Sequence, residues 1–358
     1  MPIPILLGIA ACCAGAVGIK KGLDAKADND SARRKFDKAQ RIYEEAKGRM
    51  EEAREQTSND LASLGMLKLQ VWDKQFGRFV QLVEKVKSVR IEGQAMVDGF
   101  TGGNISKQEL AKMKIISLKA GEVITGGAKA IGAGALAGVA SYGGATFLAS
   151  ASTGTALASL SGAAATNATL AWFGGGSLAA GGLGIAGGTA VLGGIIAGPV
   201  LAVGGFIMAV KARENLAEAK KALAEAEYAA EEMNNATNMI EAIGKIARDF
   251  KEAIYKMDTR MTRALDNLEG HLQQAEMIYY KRFSVRVKNI LLGLLGKKAK
   301  LSYNDLNESE KRSLHIAYQF AQATKILLET PLLRKDGSLD QQAAKALEPT
   351  HKLLTAGN

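Results

Sequence analysis

Residues 130–210 read AIGAGALAGVASYGGATFLASASTGTALASLSGAAATNATLAWFGGGSLAAGGLGIAGGTAVLGGIIAGPVLAVGGFIMAV, 81 positions without a single Asp, Glu, Lys, Arg or His. Ordinary globular elements mix polar and apolar residues, because each must face both core and water. Here the two kinds are segregated over whole segments, although the mean hydropathy of the chain is close to zero. A membrane helix needs about 20 apolar residues to cross a core roughly 30 Å thick. The run is long enough for two crossings, expected at 124–148 and within 178–210. The intervening 149–177 is rich in Ser, Thr, Asn and Gly and suits a loop or a polar helix face.

The glycines sharpen this reading. The run holds 20 of the 40 in the chain. Each interior glycine costs a helix about 1 kcal/mol relative to alanine. Small residues recur every fourth position at Gly126, Ala130, Gly134 and Gly138, at Ala180, Gly184 and Gly188, and at Ala190, Gly194, Gly198 and Ala202. In lipid such stripes allow the close backbone approach on which helix assembly depends. A segment of this kind suits conditional insertion better than permanent anchorage; the alternative is a glycine-rich core buried in a large soluble protein. Pro199 is expected to kink the second span.

Working outward, both flanks carry heptads. Residues 28–58 place Phe36, Ala39, Tyr43, Ala46, Met50 and Ala53 at alternating spacings of three and four, with charges between them. Helix is expected to continue over 61–97, with Leu64, Leu67, Val71, Phe76, Val80 and Val83 as its apolar set. The glycine pair within 99–106 marks a turn, and Ser106 suits the cap of a helix starting near Lys107. Beyond the run, Leu216, Ala219, Leu223, Ala226, Ala230 and Met233 form a second seam. The simplest arrangement is an antiparallel helical hairpin or bundle with the apolar run at its tip; the alternative is that both helices pack into an unrelated soluble bundle. The expected organisation is an apolar N-terminal segment (1–22), charged heptad helices (23–120), the Gly/Ala-rich segment (121–210), a second heptad region (211–280) and a basic amphipathic stretch with C-terminal helices (281–358). The last of these are expected near 307–329 and 339–354, separated by Pro331 and Gly337.

The net charge of +10 suits phosphate-bearing partners. The apolar run turns that preference toward anionic lipid. Lys281, Arg282, Arg286, Lys288, Lys297, Lys298 and Lys300 fall in one stretch without an acid, with Val285, Val287, Ile290, Leu291, Leu294 and Leu295 as its apolar side. A basic amphipathic stretch of this kind suits an anionic membrane surface, or equally a core-facing helix with a solvated basic face. The aromatic interleaving of a nucleic-acid platform is lacking, so nucleic acid is not an expected partner. At the N-terminus the basic pair Lys20–Lys21 follows the apolar run over 3–19, the reverse of a secretory signal. Synthesis in the cytoplasm, with the chain soluble or membrane-inserted, is therefore expected. Adjacent Cys12 and Cys13 make no disulfide framework.

Signs of catalysis are weak. Gly182, Gly184 and Gly187 match a dinucleotide-binding string, but half of their surroundings is glycine and alanine, and no acid follows about 20 positions on. Residues 121–129 lack the lysine and hydroxyl order of a phosphate loop. His271, His315 and His351 lack metal-ligand spacing. Glu44, Glu45, Glu51 and Glu52 sit on charged helix faces as solvating groups. No enzyme, cofactor or metal site is expected.

Two charged helical regions around a glycine-rich apolar segment resemble α-helical pore-forming toxins of the cytolysin A type, apolipoprotein L-like proteins and type III secretion translocators. The resemblance is architectural, spans roughly 28–280 and carries no functional residue over. It implies an all-α fold, an elongated bundle or coiled-coil hairpin with a membrane-inserting centre. It also implies a soluble form that releases the segment into lipid and assembles as a homo-oligomer, as toxins and bacterial defence effectors do, with an additional protein partner left open. The competing expectation is a non-enzymatic, membrane-anchored coiled-coil scaffold or phage-type structural protein.

Overall fold

Alanine-rich heptads free of proline build the two longest elements. The computed structural model describes residues 17–89, 107–125, 133–142, 216–285, 287, 299–334, 339–340, 342–343 and 345–347. In chain order they form α1 (Val17–Val71), a π-helical turn (Trp72–Phe76), α2 (Gly77–Glu84), β1 (Val86–Lys87), α3 (Lys107–Thr125), α4 (Ala133–Tyr142), α5 (Leu216–Lys281), β2 (Leu301–Ser302), a 3₁₀ turn (Tyr303–Asp305) and α6 (Glu308–Glu329). The described protein is thus predominantly helical, as expected. Among the described residues no helix is long and apolar enough to cross a membrane.

The chain divides into two units, residues 1–52 with 195–238, and residues 53–194 with 239–358. In the first unit, Phe36, Ala39, Tyr43, Ala46 and Met50 of α1 are buried, as are Ala219, Ala222, Ala226, Ala229, Ala230 and Met233 of α5. Leu216 and Leu223 are only half-buried. Alanine contributes the contact because its single methyl lets the helices approach closely, and the larger leucines flank it.

The expected antiparallel hairpin is corrected in both units. In the first, Lys38 meets Glu227 at 3.3 Å and Arg49 donates to Asn234 at 3.0 Å. In the second, Arg248 pairs with Asp60, Lys251 donates to Ser63 at 3.1 Å, Gln75 donates to Thr262 at 2.9 Å and Arg78 pairs with Asp266 at 2.6 Å. The partner numbers rise together, so α1 and α5 run parallel. A heptad fixes which face is buried, not the direction of the partner; the flanking charges select the direction here. A parallel pair needs a connection that carries the chain back to the start of the second helix. The described pairings thus exclude α1 and α5 as the two arms of an antiparallel hairpin.

The second unit holds the main core. Trp72 and Phe76 of the π-helical turn are fully buried with ring centroids 4.2 Å apart. They pack with Phe79, Val80, Leu82 and Val83 of α2, with Phe250, Ile254, Met257 and Met261 of α5, and with Leu314, Ala317, Ala321 and Leu327 of α6. Helix was expected through residue 97, but it ends at Glu84. Lys85 closes the last turn on the Leu82 carbonyl, and Lys300 donates to the free carbonyl of Glu84 at 3.4 Å, one of the acceptors a helix end leaves open. The chain then forms a short parallel pairing, Val86 with Leu301 and Lys87 with Ser302. Ser88 follows in a left-handed conformation, φ 55°. Helix α3 starts at Lys107 as expected. Helix α6 begins at a capping box, in which the Asn307 side chain accepts from the Glu310 amide at 2.9 Å and Glu310 accepts from the Asn307 amide at 2.7 Å.

Candidate functional site

The described piece of the uncharged run is α4, and it docks within the second unit. Leu136, Ala137, Val139 and Ala140 are buried in the same core as Trp72 and Phe250. The dock begins at Gly65 of α1. A Cβ at this position would lie 1.9 Å from the carbonyl oxygen of Leu136. Only hydrogen fits there, so the α4 backbone rests directly on α1.

One turn on, Lys68 is fully buried. Its ammonium donates to the carbonyl of Ala140 in the last turn of α4 and to the carbonyl of Thr330 beyond the end of α6, each at 3.2 Å. It also lies over the Phe250 ring, 5.8 Å from the centroid. Helix C-termini carry partial negative charge and unsatisfied carbonyls. Two such ends converge on this lysine and take the place of a carboxylate. They offset burial only in part, and burial pushes the ammonium down to about 7. The next carbonyl, Ser141, accepts the amides of Leu332 at 2.8 Å and Leu333 at 3.1 Å. The strap that supplies them is itself closed by Asp340, whose amide donates to Leu332 at 2.8 Å.

The dock is not fully satisfied. The buried Trp72 Nε1, Ser141 Oγ and Thr324 Oγ1 find no hydrogen-bond partner among the described residues. A buried polar group left unpaired costs about 1–3 kcal/mol. Of these three, Ser141 is on the last turn of α4, so apolar packing holds this helix in place against one unpaired buried hydroxyl.

Of the small-residue stripes, Gly134 and Gly138 lie on α4, and Gly138 is buried. Gly126, Ala130, Ala180, Gly184, Gly188, Ala190, Gly194, Gly198 and Ala202 lie outside the described residues, as do the expected span within 178–210, residues 1–16 of the N-terminal segment with Cys12 and Cys13, and Ser106, while residues 17–22 belong to α1. Arg286, Lys288, Lys297 and Lys298 also lie outside them. Of the remaining basic residues, Lys281 is exposed, Arg282 pairs with Asp305 at 3.3 Å and Lys300 caps α2. The expected apolar side is divided, with Val285 buried and Val287 exposed. His315 bonds the Tyr303 hydroxyl at 2.9 Å, His271 lies on α5 and His351 is outside the described residues. Among the described residues no group of His, Cys, Asp or Glu is placed to hold a metal ion. Lys68 was missed at sequence level. Its signal was positional, because Leu61, Leu64, Lys68 and Val71 keep heptad spacing and put a lysine on a core position.

Comparison of the chain with known protein families, curated proteins and solved structures finds no match.

Proposed function

We propose that this chain is a membrane-inserting helical protein that keeps α4 docked in a helical body and releases it into lipid, where it permeabilises the bilayer as a homo-oligomer. The observation that carries this reading is the α4 dock. A helix from an 81-residue uncharged run is held in a core by one buried lysine and two strap amides, and its own buried Ser141 hydroxyl finds no partner among the described residues. A permanent core helix gains nothing from such a deficit, whereas an element with two stations does. With ten residues, α4 is about half a crossing. Insertion therefore requires the uncharged residues flanking it to join one longer helix. Gly134 and Gly138 would then face neighbouring copies. Release of an entrapped dye from vesicles rich in anionic lipid tests the reading. Leakage that rises with protein concentration supports it, and intact vesicles from pH 5 to pH 9 would refute it.

A second reading is a non-enzymatic coiled-coil scaffold. The unbroken helices of 55 and 66 residues favour it. It predicts filaments or stable membrane residence without leakage.

A further inference from the structure

The C-terminal end of α5 and the residues just past it expose large apolar side chains. Met277 is 59% exposed, Ile278 58% and Phe283 80%, and Tyr280 and Val287 are exposed beside them in sequence. This end is firmly held. The Tyr279 hydroxyl donates to the carbonyl of Lys300 at 3.3 Å, and the Tyr280 hydroxyl donates to that of Ala299 at 2.9 Å. Past the bend at Arg282, the Val285 amide donates to the Arg282 carbonyl at 3.1 Å and Val285 itself is buried. The exposed residues are therefore displayed on a fixed platform. Large apolar side chains in such positions are unfavourable in water and mark interaction surfaces.

Charge identifies the occupant. No acidic residue occurs between Glu276 and Asp305, while seven basic ones do. Lys281, next to Tyr280 and two positions from Phe283, is exposed and has no ion-pair partner among the described residues. Three large apolar side chains flanking the exposed Lys281, in a stretch whose sequence is basic and free of acid, match an anionic bilayer surface, whose headgroups meet the charge while the apolar tips enter the acyl boundary. We infer that the end of α5, through Met277, Ile278, Phe283 and Lys281, is the surface on which this protein first docks to anionic lipid. The inference deepens the membrane-inserting reading and rests on it for the reason to dock. It places docking on residues separate from α4.

Vesicle co-sedimentation of the full chain tests it, using phosphatidylcholine alone and phosphatidylcholine with a quarter phosphatidylglycerol. Wild type is expected to bind the anionic vesicles. Reversing one charge near the surface weakens binding roughly thirtyfold, and removing one buried aromatic weakens it roughly tenfold. Lys281→Glu with Phe283→Ser is thus expected to lower partitioning at least a hundredfold with an unchanged Tm. A variant that still binds like wild type overturns the inference, and so does wild type with no preference for anionic vesicles. A variant that instead breaks up a soluble oligomer also overturns it, by showing that a second copy covers the patch. Dye release measured alongside separates this from the functional proposal. Patch-dependent binding without leakage keeps the docking surface and removes the pore, and equal leakage by the variant and wild type does the opposite.

Discussion

Replacing Gly65 with alanine places a methyl group where α4 touches α1. The new Cβ would lie 1.9 Å from the Leu136 carbonyl oxygen and 2.7 Å from its carbon. Ordinary contact begins near 3.4 Å, so one helix must withdraw by about 1.5 Å. Both obstructing atoms are backbone, so no side-chain rotation relieves the clash. Overpacking of this kind costs about 1–3 kcal/mol. The intrinsic gain of alanine over glycine in a helix, about 1 kcal/mol, opposes it. Gly270 of α5 supplies the control, since nothing lies within 4 Å of a Cβ there; Gly270→Ala should stabilise by roughly 0.5–1 kcal/mol. For Gly65→Ala, hydrogen exchange in a peptide covering 133–142 is expected to quicken roughly thirtyfold, equivalent to about 2 kcal/mol of lost docking. Protection in α5 and α6 should persist, and dye release should need less protein. Unchanged exchange in α4, with a rise in Tm like that of Gly270→Ala, would refute the reasoning.

Other consequences follow from the same contacts. Lys68 has a folded-state value near 7 against 10.5 when unfolded, so the unfolded chain binds more protons between those limits and stability rises with pH across that window. The slope is at most about 1.4 kcal/mol per pH unit, and chemical denaturation of Lys68→Met should show that part of the rise abolished. Arg78 pairs with Asp266 at 2.6 Å and Glu269 at 2.5 Å; in a half-exposed network of this kind Arg78→Ala should cost about 1 kcal/mol, with the cost shrinking at high salt. Asn307→Ala removes the cap of α6 and should cost about 1 kcal/mol, read as a lower Tm.

Much of the helical framework was legible in the sequence. All six seam residues from Phe36 to Ala53 are buried, because a heptad states directly which face avoids water. Its phase weakened where the chain departs from regular α-helix. Leu67 was assigned to the apolar side of 61–97 and is half-buried, whereas Lys68 beside it is fully buried. A lysine ordinarily marks a wet face; here two helix ends supply its partners, and those come from residues 72 and 262 positions away. No local pattern carries such a pairing. The direction of α5 relative to α1 was equally hidden, since it depends on pairs such as Asp60 with Arg248 rather than on spacing. The same holds for Phe283, which lies in a stretch read as amphipathic helix but stands exposed beyond the bend at Arg282.

The central claim is that α4 must leave its dock before the membrane is breached. The Leu332 amide bonds the Ser141 carbonyl at 2.8 Å, which brings their Cα atoms to about 5–6 Å, within reach of a disulfide. Cysteines at positions 141 and 332, in a chain with Cys12 and Cys13 changed to serine, would tie α4 to its strap when oxidised. Dye release from anionic vesicles by the oxidised and the reduced chain is the direct measurement. Silence when oxidised and leakage on reduction is the expected result. Equal leakage in both states, with the disulfide verified by mass, would contradict the account.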